Sequence, residues 1–307
     1  MVLQHLFPVF SLILLGILLK QYGLTNKQFL TTADRLIYYI FFPALLFWKI
    51  GGAQINITPQ LLRFYMAAAS AVLTVYLASI LFIFVYKVPG YQAGAFSQSC
   101  YRFNTYIGVA VILNLFGTQG VARFGVLIGV MIPMINLLAV TTLIWFSEQP
   151  GNWRHRIGIT CKALISNPLI LACLCGLLYA RFAQSFPPVI DNTLSLGASV
   201  SLPLALLSIG GSLTLGTLKM HLSLATIGVA LKLLFLPVIG CLLMRILDVD
   251  QAFIPIGAIF YALPTSPAVY VLSAQLSSDT EYASAAIALS TALSFISLSL
   301  VLWWLNA

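Results

Sequence analysis

Two basic residues lie inside apolar stretches of this sequence and are the side chains best placed to do chemistry. Lys232 is at the centre of one long apolar run, and Arg102 is well inside another. A basic residue at the centre of a membrane helix costs on the order of 2.5 to 3.5 kcal/mol on insertion scales. None of the seven acidic residues lies deep in an apolar run, so we expect the positive charge to attract an anion from outside.

Two polar breaks accompany these charges. The segment from Leu263 to Pro267 places two prolines three residues apart, which removes backbone donors and leaves carbonyl groups that need a partner. The matching break in the first half of the chain runs from Arg102 to Thr105. We predict a substrate-binding site made of residues from both breaks together with the buried lysine: Arg102, Asn104, Thr105, Lys232, Pro264, Thr265, Ser266 and Pro267.

Each of these features has a structural alternative. Arg102 and Lys232 could instead snorkel to the membrane surface or bind the carbonyl groups released at the breaks. The Pro264 region could be an ordinary proline kink held by packing. Asn136, in another apolar run, could bind a ligand, although an isolated amide in a bundle more often links two helices.

The composition places nearly the whole chain in a membrane. Of 307 residues, 61% are hydrophobic and 7% are charged, against about 25% charged in an ordinary soluble protein. We predict an all-α polytopic membrane protein with ten crossings. The predicted helices span about 4–22, 31–52, 60–87, 91–117, 119–147, 162–183, 190–214, 219–246, 251–276 and 279–305.

The net charge of +8 indicates orientation rather than nucleic-acid binding, because the basic residues are scattered singly. The loops after helices 1, 3, 5, 7 and 9 carry eight of them: Lys20, Lys27, Arg35, Lys87, Arg154, Arg156, Lys162 and Lys219. The opposite side carries five: Lys49, Arg63, Arg123, Arg181 and Arg245. The positive-inside rule then predicts a cytoplasmic central loop, with both termini on the outer side of the membrane.

Landmarks of the first half recur 160 residues later. The segment Phe42-Pro43-Ala44-Leu45-Leu46 matches Leu202-Pro203-Leu204-Ala205-Leu206. Five further pairs keep the same offset: Pro8 with Pro168, Gly16 with Gly176, Gly51 with Gly211, Tyr101 with Tyr261 and Thr105 with Thr265. We therefore predict a five-helix repeat at 1–147, a short cytoplasmic loop at 148–161 and a second repeat at 162–307.

An odd number of helices per repeat means that the second copy enters the membrane from the opposite side. The repeats are thus inverted, and the interrupted helices 4 and 9 occupy equivalent positions. Inverted repeats with interrupted helices are typical of secondary transporters, which bind substrate near the midplane.

The sequence does not favour an enzyme. No two of the three histidines are spaced as metal ligands, and no acidic cluster or phosphate-binding glycine loop is present. The five cysteines do not form a disulfide pattern. We expect no cofactor and no metal. The expected partners are a small organic anion and the lipid bilayer, with a homodimer kept as a candidate assembly.

The chain resembles the auxin efflux carrier family of permeases, which includes plant auxin exporters and bacterial organic-acid carriers. The resemblance spans the whole chain and rests on four segments: Arg35-Leu36 through Phe47, Arg102 to Gly108, Lys232-Leu233-Leu234 with Pro237, and Pro264 to Pro267. It implies inverted repeats, a scaffold part and a transport part, outward termini, and crossing helices 4 and 9. It also implies that Asn104 and the Pro264 region contact a substrate carboxylate.

The chain departs from the family in two places. Val109 and Ala110, rather than a proline, follow Gly108, which leaves the interruption of helix 4 open. The central loop is short, whereas the plant exporters have a long one, and this favours the bacterial organic-acid carrier type.

We therefore expect a secondary transporter for small organic anions, such as dicarboxylates, hydroxy acids or auxin-like aromatic acids. It would work by rocking or elevator-like alternating access. An anion channel or a membrane sensor that binds a ligand without moving it is the alternative. Coupling stays open between uniport, exchange and proton coupling through Lys232 or a protonated substrate.

Overall fold

The fold is helical throughout the part of the chain that the structure describes. The structure is a computed structural model, and it describes residues 2–52, 58–146, 165–166, 168–183, 185–212 and 218–306. Within these ranges there are helices, turns and bends but no strand. The predicted central loop at 148–161 and the predicted start of helix 6 at 162 lie outside the described residues.

Six helical segments are long and apolar enough to cross a membrane: Lys27–Gly51, Pro59–Tyr86, Gly90–Phe146, Pro188–Gly211, His221–Ile246 and Thr280–Leu305. Two shorter apolar helices are Phe7–Gln21 and Pro168–Phe182. The described residues therefore confirm the prediction of an all-α polytopic membrane protein.

The helices follow the predicted order. The uninterrupted ones are α1 (Val2–Gln21), α2 (Lys27–Gly51), α3 (Pro59–Tyr86), α6 (Pro168–Phe182), α7 (Pro188–Ser212) and α10 (Thr280–Asn306). α8 consists of Leu218–Ala230, a π-helical turn at Leu231–Phe235, and Leu236–Ile246. α2 also contains a π-helical turn, at Ile37–Phe41.

Two helices are interrupted. α4a (Gly90–Tyr101) is followed after three non-helical residues by a long helix at Thr105–Phe146. Gly117 divides that helix into α4b (105–116) and α5 (118–146), with φ 60° and ψ −154°, a conformation that glycine adopts without a steric penalty. α9a (Ile254–Ala262) and α9b (Ala268–Gln275) flank the second interruption. Helix 4 is thus interrupted without a proline after Gly108.

The described helices form two compact units that interleave along the chain. The first unit contains α1, α2, α4b, the first part of α5, α6 and α7. The second contains α3, α4a, the last part of α5, α8, α9 and α10.

The first unit depends on small residues that let helix backbones meet. A methyl group at Gly16 of α1 would lie 2.1 Å from the carbonyl oxygen of Leu207 in α7. A methyl group at Gly176 of α6 would lie 3.3 Å from the carbonyl oxygen of Phe47 in α2. Leu207 and Phe47 are 160 residues apart, as Gly16 and Gly176 are. Small residues serve helix association in membranes, where lipid removes much of the hydrophobic driving force.

We predict that Gly210→Ala destabilises the protein, because its methyl group would lie 1.9 Å from the carbonyl oxygen of Ile13. α1 and α7 would have to separate, and overpacking of this kind costs about 1 to 3 kcal/mol. Gly197→Ala in the same helix is the matched control, since nothing lies within 4 Å of its added methyl group. Thermal unfolding of the purified protein should show a lower midpoint for Gly210→Ala alone. Equal midpoints for the two variants would contradict this account of the α1–α7 contact.

Candidate functional site

The interruption of α9 leaves carbonyl groups that the helix itself cannot satisfy. Pro264 has no amide hydrogen, so the hydrogen bond that would continue α9a is absent. Two carbonyls at the end of α9a are held by side chains instead. Lys232 Nζ donates to the Tyr261 carbonyl at 3.2 Å, and Ser297 Oγ donates to the Ala262 carbonyl at 3.0 Å. α8 and α10 therefore complete the end of α9a.

The two interruptions meet backbone to backbone. Asn104 N–H donates to the Pro264 carbonyl at 2.8 Å, and these two residues stand 160 positions apart. Thr265 makes two more links. Its hydroxyl donates to the Ser99 carbonyl at 2.9 Å, and its N–H donates to Ser290 Oγ at 3.1 Å. We call this cluster of Asn104, Pro264, Thr265 and their partners the crossover.

Lys232 is fully buried and lies in the π-helical turn of α8. A π-helical turn wraps one extra residue, so it changes the direction in which a side chain leaves the helix, and such turns are frequent at functional sites. Among the described residues, no carboxylate oxygen lies within 4.0 Å of Lys232 Nζ. The contact with the Tyr261 carbonyl is the one that the carbonyl-binding alternative describes.

Arg102 opens the interruption of helix 4, with φ −67° and ψ 139°. Its side chain is 8% exposed, and Nη2 donates to Asn136 Oδ1 in α5 at 2.9 Å. Asn136 therefore links two helices, which is the role that isolated amides in bundles most often have.

The remaining predicted residues flank these contacts. Thr265 is fully buried, and Ser266 and Pro267 are half-buried. Ser266 Oγ accepts a hydrogen bond from Ala268 N–H at 3.2 Å, at the start of α9b. Thr105 is buried and begins α4b, which belongs to the first unit. Within the second unit the structure thus brings together Asn104, the Pro264 segment and Lys232.

Polar side chains that join α4a to α9b and to α10 were missed by the sequence interpretation. Gln98 Nε2 donates to Ser273 Oγ at 2.9 Å, joining α4a to α9b. The hydroxyl groups of Ser99 and Tyr282 are 2.9 Å apart, joining α4a to α10. Serines scattered through apolar helices carry little signal in one sequence, because their hydroxyl groups often bond to their own helix.

This geometry defines a helical membrane protein whose interrupted helices meet in a buried polar cluster. Residues 1–302 match the family described as Membrane transport protein, and the chain belongs to it. The resemblance to the auxin efflux carrier family is thereby confirmed. The chain is also similar to an uncharacterized transporter of Methanothermobacter thermautotrophicus, with 23% identity over 304 residues, which cover 97% of this chain and 96% of that protein.

We predict that Thr265→Val lowers the stability of the second unit. The substitution keeps the shape of the side chain but removes the donor to the Ser99 carbonyl, which is one of the last carbonyls of α4a. A buried acceptor that loses its donor costs about 1 to 3 kcal/mol. Thr226→Val is the control, because Thr226 is exposed and its hydroxyl bonds only within α8. The midpoint of thermal unfolding should fall for Thr265→Val and stay near the wild-type value for Thr226→Val. The reverse order would remove Thr265 from the framework of the crossover.

Proposed function

We propose that the chain is a secondary transporter of small organic anions that works by alternating access. Its substrates would be carboxylates: dicarboxylates, hydroxy acids or auxin-like aromatic acids. The observation that carries this proposal is the buried Lys232 ammonium beside the interrupted helix 9, with no carboxylate within 4.0 Å among the described residues. Membership of a membrane transport protein family supports the transport part of the proposal.

The charges around the break favour an anion. The C-terminal end of α9a carries partial negative charge, and Lys232 lies against it. The N-terminal end of α9b, on the other side of the break, carries partial positive charge and a half-buried Ser266. An anion held near Ser266 and Asn104 would meet positive potential from both the helix end and the lysine. Interrupted helices serve this purpose in many secondary transporters.

The proposal includes two inverted five-helix repeats. Three contacts support it. The hydrogen bond at the crossover joins residues 160 positions apart, Asn104 and Pro264, and the close approaches at Gly16 and Gly176 involve partners with the same offset. We further propose that the protein lies in a bacterial inner membrane with both termini outside, and that a homodimer is its assembly.

A counterflow experiment distinguishes a carrier from the two alternatives, an anion channel and a membrane sensor. Purified protein in liposomes loaded with unlabelled succinate, lactate or indole-3-acetate should accumulate the same labelled acid. A channel would pass current without this exchange, and a sensor would do neither. A thermal-shift screen against the same acids, at several pH values, identifies the substrate class, because a ligand that binds the folded state raises stability by mass action.

We predict that Asn104→Ala weakens carboxylate binding by about 1 to 3 kcal/mol, through loss of a hydrogen bond in a site shielded from water. Asn104 is fully buried at the crossover. Asn192→Ala is the control, since Asn192 is exposed on α7 in the first unit. Binding of the acid identified by the screen is measured by the shift in unfolding midpoint. Unchanged affinity in Asn104→Ala would remove this side chain from the site.

We predict that Lys232→Gln abolishes most of the uptake while expression is retained. Glutamine keeps a donor for the Tyr261 carbonyl but removes the charge. Lys20→Gln, at an exposed position at the end of α1, controls for the loss of one positive charge. Uptake is compared at equal protein in liposomes. Wild-type uptake by Lys232→Gln would show that Lys232 only completes the end of α9a. In that case the variant should be as stable as the wild-type protein or more stable, because burying the lysine charge costs about 2.5 to 3.5 kcal/mol.

A further inference from the structure

The second unit has a cavity of about 530 Å³ at the end where α8 and α10 both finish. Three polar side chains line it, those of Arg245, Asp248 and Gln251, together with the indole of Trp304. Most of its other lining is apolar and comes from α8, the segment after α8 and the start of α9a: Leu242, Met244, Val249 and Ile254. The volume lies within the range of ligand pockets, about 300 to 1,000 Å³.

The cavity exists because α8 and α10 diverge towards this end. The first part of α8, Leu218–Ala230, packs against α10, whereas its last part, Leu236–Ile246, packs against α3 and α9a. α9a also packs against α10, so it lies between the two helix ends. A methyl group added at Gly257 of α9a would lie 2.5 Å from Met244 Sδ. Met244 and α9a therefore form a firmly packed side of the cavity.

The cavity lies at the edge of the apolar spans. Arg245 is one residue before the end of the span His221–Ile246, and Trp304 is one residue before the end of the span Thr280–Leu305. Tryptophan is enriched where a membrane meets water, and basic side chains near helix ends reach the same level. This placement puts the polar side of the cavity at the level of the lipid headgroups.

The helix faces that lead from the cavity into the membrane are apolar and exposed. Leu242 lines the cavity, and Val238 lies one turn before it in α8. Trp304 lines the cavity, and Leu300 and Ile296 lie one and two turns before it in α10. Residues four apart share one face of a helix. Each of the two helices thus offers an apolar stripe along which an acyl chain can lie.

The formal charges at this end of the unit balance. Arg63 Nη1 in α3 is 3.5 Å from Asp248 Oδ2. Asp250 is exposed, and its Oδ1 accepts from Ala252 N–H at 2.8 Å. Two arginines and two aspartates therefore lie here, and no excess of positive charge selects an anionic lipid.

Arg245 is placed to bind a phosphate. In the part of the chain that the structure describes, no carboxylate oxygen lies within 4.0 Å of its guanidinium group. A guanidinium group binds phosphate through two parallel N–H donors, and this geometry is one reason why arginine is common at phosphate sites.

Asp248 is placed to accept from a cation. Its side chain is 93% exposed and that of Arg63 is 46% exposed, so water screens their ion pair. Asp248 follows the C-terminal end of α8, which carries partial negative charge. A primary ammonium group has three N–H donors for such an acceptor. A trimethylammonium group has none and binds among several aromatic rings, whereas Trp304 is the one aromatic side chain in the described lining.

We propose that this cavity binds a phospholipid whose headgroup carries a phosphate and a primary ammonium group, as in phosphatidylethanolamine. Arg245 binds the phosphate, Asp248 accepts from the ammonium group, and the acyl chains lie along the apolar stripes of α8 and α10. The bound lipid links the two helix ends that diverge around α9a. This site does not depend on the proposed transport of organic anions.

Binding is tested by thermal unfolding of the full-length protein, purified in detergent and freed of lipid. Phosphatidylethanolamine, phosphatidylglycerol and phosphatidylcholine with the same acyl chains are added at equal mole fraction. A ligand that binds the folded state raises stability by mass action. Phosphatidylethanolamine should raise the midpoint by about 2 °C or more beyond the other two lipids. Equal shifts with all three lipids would overturn the site.

Two variants assign the parts of the headgroup. Arg245→Gln should lose the extra shift, whereas Arg181→Gln, at an exposed position in the last turn of α6 in the first unit, is the control and should keep it. Asp248 has φ 49°, a conformation that asparagine also tolerates. Asp248→Asn should reverse the order in favour of phosphatidylglycerol, because two arginines would then face one aspartate. The wild-type order of lipids in either cavity variant would contradict these roles, and the exposed Asp248 keeps the test decisive if Arg245→Gln folds poorly.

Glycerophosphoethanolamine, which is the same headgroup without acyl chains, distinguishes a lipid from a soluble phosphodiester. It should not shift the midpoint at the concentration used for the lipid. A shift as large as that of the lipid would show that the cavity takes a soluble phosphodiester and would overturn the lipid proposal. Native mass spectrometry gives a second measurement: the wild-type protein should retain more phosphatidylethanolamine than Arg245→Gln does, and equal retention would contradict the site. A failed counterflow experiment leaves all of these outcomes unchanged.

Discussion

The structure depends on one constraint, which is that backbone groups inside a membrane need partners from the protein. Pro264 is buried just beyond the end of α9a, and an unsatisfied polar group in such a place costs several kcal/mol. The partners come from α8, α10 and the interruption of helix 4: the Lys232 amino group, the Ser297 hydroxyl and the backbone N–H of Asn104. Each of these polar groups donates a hydrogen bond to a carbonyl that the break in α9 leaves without a partner in its own helix.

Close packing at glycines and hydrogen bonds between helices both occur in each of the two units. In the first unit, Gly16 and Gly210 let the backbones of α1 and α7 lie so close that an added methyl group would clash with a carbonyl oxygen of the other helix. Close backbone packing therefore holds these two helices together. In the second unit, hydroxyl and amide groups link α4a, α9b and α10 around the crossover. Hydrogen bonds between helices also occur in the first unit, from Trp48 to Asp191 and from Ser208 to Asp34.

Much of this architecture could be predicted from the sequence, because lipid restricts a chain to helices of known length. The approximate helix bounds, the interruption of helix 9 and the burial of Lys232 follow from apolar runs, prolines and one isolated charge, whereas the interruption of helix 4 stayed open because no proline follows Gly108. The contacts could not be predicted. That Lys232 reaches the Tyr261 carbonyl depends on a π-helical turn, for which the apolar pattern of α8 gives no signal. The hydrogen bond between Gln98 and Ser273 also joins residues far apart in the chain, and only the packed structure brings them together.

The π-helical turn in α8 fixes how the two ends of that helix relate to each other. It places one more residue between Ala230 and Leu236 than an α-helical turn would hold, so the side chains before and after it follow different registers. A chain shorter by one residue within 231–235 could form an unbroken α-helix whose two ends keep nearly their present directions, because the π-helical turn absorbs the extra residue by winding more residues into one turn. The side chains within the turn, that of Lys232 among them, would then leave the helix in different directions, although every side chain in the helix but one would be retained. In this helix, chain length carries as much information as residue identity.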